Sequence, residues 1–300
     1  MIGFSFSPGG LLLPYHLGVL AALSYHGHVT HDTPLAGSSA GSIAVAAHAA
    51  NVPSYVALEA SMRLSAQCNM GFVARGQLMT HLRHQLDTAL AADAHHRVNA
   101  RPGAIGLAHL QLYPEQRTVL ATQDFDSRSA LMDAVCDSSM FPFFTSNRPF
   151  RVVKRRHRAN SHKRSSGCND TDNDTASSAL QTVVTVDGVF TEPLWRFGCP
   201  DQQKQRISNL ERSVCVSVFP KELTGLGHGD MASSPNHNVI APPLQVHNII
   251  GQVTHLGRLA CTPGSRQELK LLYEQGWENA EAWVCQEERG YHSVGMMVPP

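Results

Sequence analysis

Two glycine-rich turns near the N-terminus constrain this chain most. Each follows a short apolar run and opens a helical one. Ile2-Gly3-Phe4-Ser5-Phe6-Ser7 reads as a buried strand, Pro8-Gly9-Gly10 as a turn, and Leu13 to Tyr25 as an apolar helix, with Pro14 where an early helical turn tolerates proline. Pro34-Leu35-Ala36-Gly37 then leads into Ser38-Ser39-Ala40-Gly41 and an Ala-rich helix from about Ser42 to Ala50. A strand–helix–strand–helix order makes the first strands parallel and commits the chain to an α/β layer architecture.

Further along, helices are expected at about Ser54–Gln67 and Gly76–Ala91, with a capping-box-like start at Asp93 for a short helix through His96. Ile105–Tyr113 and Thr118–Thr122, separated by Pro114-Glu115-Gln116, read as a hairpin. A helix at about Ser129–Asp137 precedes the short apolar segment Met140-Phe141-Pro142-Phe143-Phe144. Strand character follows at Phe150–Val153, Leu180–Val186 and Val214–Phe219. A Gly-, Pro-, Ser- and His-rich loop runs from Lys221 to about Asn236. The last helix, about Arg266–Glu288, places Leu269, Leu272, Tyr273, Trp277, Ala280 and Val284 at helical spacing.

Lys154 to Ser178 interrupts this pattern. It holds Lys154, Arg155, Arg156, Arg158, Lys163 and Arg164, then Asp170, Asp172 and Asp174, among Ser, Asn and Thr. With almost no apolar residues it has no core to bury, and it reads as a disordered, solvated insertion in a loop. Anionic lipid or a nuclear import receptor are the alternative partners for its basic run. One domain over residues 1–290, interrupted at 154–178 and followed by a tail at 291–300, is the expected organisation.

Composition excludes several classes. Lys+Arg and Asp+Glu are both 24, so the net charge is 0, and aromatics are 7 %. Neither the basic excess nor the stacking residues of a nucleic-acid binder are present. The 7 Cys are scattered without a C-x-x-C pair, which fits reduced thiols in an intracellular protein. His81/His84 and His95/His96 lack carboxylate or Cys partners at ligand spacing and read as solvated faces, so no metal is expected. No apolar run is long enough to span a membrane, and the N-terminus lacks the charged start of a signal peptide.

Three elements carry chemistry. Gly37-Ser38-Ser39-Ala40-Gly41 is a G-x-S-x-G sequence: a serine at a tight strand-to-helix turn needs little bulk on either side, and Gly37 and Gly41 supply that. The following helix aims its N-terminal N–H groups and dipole at the reacting centre. Gly9 and Gly10 follow the first strand directly, so backbone N–H groups there can face a pocket and stabilise an oxyanion. A dinucleotide site would want G-x-G-x-x-G, and two of the three glycines are missing. Asp187-Gly188 ends the run Val183-Val184-Thr185-Val186 and sets a carboxylate at a strand end. On its own it is an ordinary turn.

Taken together these elements resemble the patatin-like phospholipase family, over nearly the whole chain from Ile2 to about Glu288. Tyr15-His16-Leu17-Gly18-Val19-Leu20, Asp133-Ala134-Val135-Cys136-Asp137-Ser138-Ser139 before Phe141-Pro142-Phe143, and Leu272-Tyr273-Glu274-Gln275-Gly276-Trp277 are also similar to that family. The first and last look most like its triacylglycerol-lipase branch, which, unlike many members that carry Lys or Arg there, also lacks a basic residue where Leu12 stands. Val189 follows Asp187-Gly188 where the family carries Gly or Ala.

The resemblance implies a three-layer α/β/α fold with a central, mostly parallel sheet and a nucleophile elbow. It implies a Ser–Asp dyad, with Ser39 as nucleophile, Asp187 as base, and Gly9, Gly10 and the Leu11 N–H as the oxyanion hole. The function implied is hydrolysis of lipid carboxylic esters without a cofactor, at a membrane or lipid-droplet surface. Acyl transfer to another alcohol is the related outcome. Leu11, Leu12, Leu13, Phe141, Phe143 and Phe144 are candidates to hold acyl chains.

Two alternatives remain open at this point. An α/β-hydrolase esterase would need a late histidine, for which His228, His237, His247, His255 and His292 are available. Against it, the serine comes after only about two strands. A lipid-binding protein without catalysis would use the same fold.

Overall fold

The computed structural model describes residues 1–68, 76–156, 180–203, 210–226 and 238–295. It is a mixed α/β structure with a central, mostly parallel sheet and helices on both of its faces. Strand β1 (Ile2–Phe6) is an interior strand, and Phe4 and Phe6 are fully buried. A single 3-10 turn at Gly10–Leu12 leads into α1 (Leu13–Tyr25). Strand β2 (Leu35–Ser38) pairs parallel with β1, and α2 (Ala40–Ala49) follows. This opening matches the order read from the sequence.

Helices α3 (Ser54–Cys68), α4 (Leu78–Ala89) and α5 (Ala94–Asn99) come next. Asp93 precedes α5, but its carboxylate does not cap the helix. It pairs with Arg97 Nε at 3.0 Å, an i,i+4 contact, in place of the expected capping box. Strand β3 (Ile105–Tyr113) and β4 (Arg117–Ala121) form the expected antiparallel hairpin. Helix α6 (Arg128–Ser138) starts on a genuine cap, Ser127, which accepts the Ala130 N–H at 3.1 Å.

Strands β5 (Arg151–Arg156) and β6 (Leu180–Val186) pair antiparallel. Lys154, Arg155 and Arg156, expected in the insertion, thus belong to β5. The reason is tertiary: Arg151 and Arg155 both ion-pair with the buried Asp137 of α6, which also accepts from Thr185 Oγ1 at 3.0 Å. The remainder of the expected insertion lies outside the described residues.

Strand β7 (Arg212–Val216) runs parallel to β1 on the side away from β2, and β8 (Val239–Ile240) extends the sheet beyond it. Lys221–Thr224 forms a short helix, α7, where a loop was expected. Helix α8 (Ile249–Cys261) was not anticipated, and α9 (Arg266–Gly295) continues five residues into the segment expected to be a tail. Among the described residues, no helix is long and apolar enough to cross a membrane.

Helices α1 and α9 meet backbone to backbone. A Cβ on Gly18 would overlap the Tyr273 carbonyl oxygen, and one on Gly276 would overlap that of Tyr15. Tyr15 is buried, and its hydroxyl takes a hydrogen bond from Asn279 Nδ2 at 3.0 Å. The two segments singled out in the sequence therefore pack on each other through a reciprocal glycine pair.

Candidate active site

The sheet topology brings two distant segments to one point. Strand β2 pairs with β3 up to Ser38, opposite Ala108. Strand β6 takes over the same edge of β3 from Leu110 onward and ends with Val186 opposite Leu110. The hairpin partner β4 holds the other edge of β3 along this stretch. The C-terminal ends of β2 and β6 therefore meet head to head, and the residues that follow them are Ser39 and Asp187.

Ser39 is the strained residue of the turn, with φ 52° and ψ −119°. Such a conformation is costly for a residue with a side chain, and it persists only where the surroundings hold it. Gly37 and Gly41 explain why it can: a Cβ on Gly37 would overlap the backbone of Gly41, and one on Gly41 would meet the Phe6 backbone. The Ser39 N–H donates to Ser138 Oγ at 2.9 Å, and its carbonyl accepts from Ser42 Oγ at 2.7 Å and from the Ile43 N–H at 3.1 Å. Only the side chain is left for chemistry.

Asp187 is buried beside it. Its Oδ1 accepts the Val189 N–H at 2.9 Å, closing a turn over Gly188–Thr191, and its own N–H donates to the Met140 carbonyl at 2.9 Å. Gly188 is obligatory, because a Cβ there would overlap the Ala108 carbonyl and crowd Ser38. Gly198, at φ 67°, packs between this turn and the first one, since a Cβ on it would crowd the Pro8 ring and the Val189 Cα. The second carboxyl oxygen, Oδ2, has no hydrogen bond of normal geometry, while the Ser39 hydroxyl is near enough to favour the charged form. Burial dominates and pushes the carboxyl pKa up from 3.8 to about 7, against the smaller opposing effects of the Val189 N–H and the Ser39 hydroxyl.

Gly9, Gly10 and Leu11 line the same cavity as Ser39 and Asp187. Gly10 has φ 56°, and a Cβ on it would overlap the Ala260 carbonyl at the end of α8, so the turn is tied to that helix. The Leu12 N–H donates to the Gly9 carbonyl at 3.0 Å and closes the turn. His16, buried in α1, donates from Nε2 to the Ser7 carbonyl at 2.8 Å and steadies the strand end before this turn. Burial lowers its pKa to about 4, so the ring is neutral near pH 7.

The cavity measures about 210 Å³, and its wall is almost wholly apolar. Leu11, Phe141 and Phe144 line it as expected. Leu12 does not line it, Leu13 lines a smaller apolar cavity next to it instead, and Phe143 is 70 % exposed outside it. Ile43, Leu64, Leu78, Leu82, Ala260 and Cys261 line it without having been anticipated. The helical spacing of Ile249, Val253, Leu256 and Ala260, at i, i+4, i+7 and i+11, was the available signal for the helix that brings the last two. Among the described residues no histidine lines the cavity. His247 and His255 lie elsewhere, His228 and His237 fall outside the described residues, and so does the side chain of His292.

Fold and site define an α/β protein with a serine on a strained strand-to-helix turn, beside a buried carboxyl in an apolar cavity. No family model and no curated protein matches the sequence. Among solved structures, the chain is similar to VipD from Legionella pneumophila, with 11 % identity and a TM-score of 0.46 over 93 % of this chain. The chain spans 66 % of the length of that structure.

Proposed function

We propose that this chain is a patatin-like serine acyl hydrolase that cleaves carboxylic esters of lipids through a Ser39–Asp187 dyad. One observation carries the reading: Ser39, strained at φ 52°, shares an apolar cavity with a buried carboxyl whose pKa is lifted to about 7. An ordinary carboxylate is too weak a base for a hydroxyl, whereas one that titrates near neutrality is suited to proton transfer.

Ser39 Oγ attacks the ester carbonyl carbon while its proton passes to Asp187. The negative charge that develops on the carbonyl oxygen is met by the N–H groups of Gly9 and Gly10, with that of Leu11 beside them. Each donor of this kind is worth about 3 kcal/mol in the transition state. Asp187 returns the proton to the departing alcohol, and water then clears the acyl-Ser39 with Asp187 again as base. An alcohol in place of water would make the product a new ester.

A lipid substrate fits the apolar wall and the aromatic residues beside it. Phe141 lines the cavity and is 43 % exposed, and the exposed Phe190 stacks on it with ring centroids 5.8 Å apart. Such aromatics suit a membrane or lipid-droplet surface. The dyad is favoured by the carboxyl itself: Asp187 is buried beside Ser39 in the same cavity, whereas His247 and His255 lie away from it.

A fluorophosphonate probe tests the reading. Wild-type protein should be labelled on Ser39 and should hydrolyse short-chain chromogenic esters. Ser39→Ala should lose both, with an unchanged circular dichroism spectrum. Ser38→Ala should retain a measurable fraction, since Ser38 ends β2 and does not line the cavity. Full turnover in folded Ser39→Ala, or equal loss in both variants, would remove the assignment.

A further inference from the structure

A second apolar cavity, of about 40 Å³, adjoins the one at Ser39. The two share three lining residues: Ile43 of α2, Leu64 of α3 and Leu82 of α4. On α2 the order along one face is informative. Ser39 and Ala40 line the first cavity, Ile43 lines both, and Ala47 lines only the second. Residues four apart stack on one side of a helix, so Ile43 is the bulky group between two small ones on a continuous line leading away from Ser39. Helix α3 repeats the arrangement, with Ala57, Ala60 and Ser61 in the second cavity and Leu64 at the boundary.

The polar side chains of the second cavity are already engaged. Ser61 Oγ donates to the Leu58 carbonyl at 2.7 Å, and Gln85 Nε2 donates to Gln67 Oε1 at 3.3 Å. A hydrocarbon chain entering there would leave neither of them without a partner.

We infer that Ile43, Leu64 and Leu82 form a partition that limits the length of acyl chain held in the cavity beside Ser39. The second cavity is the space that a longer chain occupies once the partition is opened. This rests on the acyl-hydrolase reading for its substrate class, but its test does not depend on turnover. Methylene groups gain affinity only where apolar space receives them, so the partition sets how many of them contribute.

Binding of octanoate and of palmitate is measured by calorimetry in the Ser39→Ala background. Adding Ile43→Ala should raise the palmitate-to-octanoate affinity ratio about tenfold. Adding Ala47→Leu to that variant fills the second cavity and should return the ratio toward its starting value. Leu82→Ala, on a different helix, is the second route to the same opening should Ile43→Ala fail to fold. With Ser39 restored, the corresponding nitrophenyl esters should show the same shift in kcat/KM ratio. An unmoved ratio in a folded opening variant, or no binding of either fatty acid, overturns the partition. A shifted binding ratio in a protein that hydrolyses no ester and takes no fluorophosphonate would leave the partition standing and remove the catalytic reading.

Discussion

Ser138 Oγ accepts the Ser39 N–H at 2.9 Å and donates to the Ala108 carbonyl at 2.5 Å, so one hydroxyl ties the strained turn to β3. Ser138 ends α6, which means the conformation of Ser39 is held by an element far from it in sequence. Strain of this kind is maintained only by such outside contacts. Ser138→Ala leaves the buried Ser39 N–H and Ala108 carbonyl without that partner and should cost about 1–3 kcal/mol of stability. On the acyl-hydrolase reading it should also lower kcat more than it raises KM, because a misplaced Ser39 hydroxyl would affect chemistry rather than the apolar contacts that would bind an acyl chain. Urea unfolding and ester kinetics on the same preparation check both parts.

The glycine pair between α1 and α9 makes a separate prediction. Gly18→Ala or Gly276→Ala drives a methyl group into a carbonyl oxygen of the facing helix, and overpacking of this kind costs about 1–3 kcal/mol. The double variant should lose less than the sum of the two, since either methyl alone separates the same helix pair. Additive losses in urea unfolding would show that the two contacts yield independently.

The contrast between legible and illegible parts follows from range. Strand β1, helix α1, the turn at Ser39 and strand β6 are encoded by local patterns of apolar spacing and glycine, and each lies where those patterns place it. Asp187 could be read as a strand-end carboxylate, but its burial depends on β6 ending against the tip of β2, which no local pattern records. Strand β5 extends through Lys154–Arg156 because Asp137, on another element, neutralises Arg151 and Arg155. Strand β8 has two residues, too few for an alternation to show. Leu64 and Leu82 are ordinary core positions in their own helices and become cavity walls only when α3 and α4 are packed beside α2.

Two buried histidines, His16 and His109, and the half-buried His48 set the acid limit of the fold. Burial lowers the pKa of His16 and of His48 to about 4, and that of His109 to about 3, with Arg101 and His31 adding to the effect at His48 and Arg155, Arg151 and Arg117 at His109. As pH falls through 6.5 the unfolded chain takes up these protons and the folded chain does not. The stability they leave intact above 6.5 should therefore decline steadily toward pH 4. Asp187 works in the opposite sense over nearly the same range, but three groups outweigh one. His109→Phe, close in volume, should flatten the decline measured by urea unfolding between pH 6.5 and 4. An unchanged slope would show that His109 is protonated in the fold.

Under the proposed dyad, Asp187 ties activity to a cost in stability. Its folded pKa of about 7 lies above the ordinary 3.8, so the folded chain holds a proton that the unfolded chain has released throughout that window. Its contribution to stability is fully present below about pH 4, falls by about 1.4 kcal/mol per pH unit, and is lost once pH exceeds about 7. Asp187→Asn keeps an oxygen for the Val189 N–H and removes the buried charge. The variant should thus be more stable than the wild type at pH 8, with the difference shrinking as pH approaches 4. Catalysis should move the other way: an amide takes no proton, so turnover should drop by about 10²- to 10⁴-fold. In the wild type, kcat/KM for a neutral ester should rise with unit slope up to about pH 7 and then level off. Paired measurements of the pH–rate profile and of urea midpoints at pH 5 and pH 8 separate these effects. A flat rate profile between pH 5 and 8, together with a mild effect of Asp187→Asn on turnover, would mean that another group accepts the Ser39 proton.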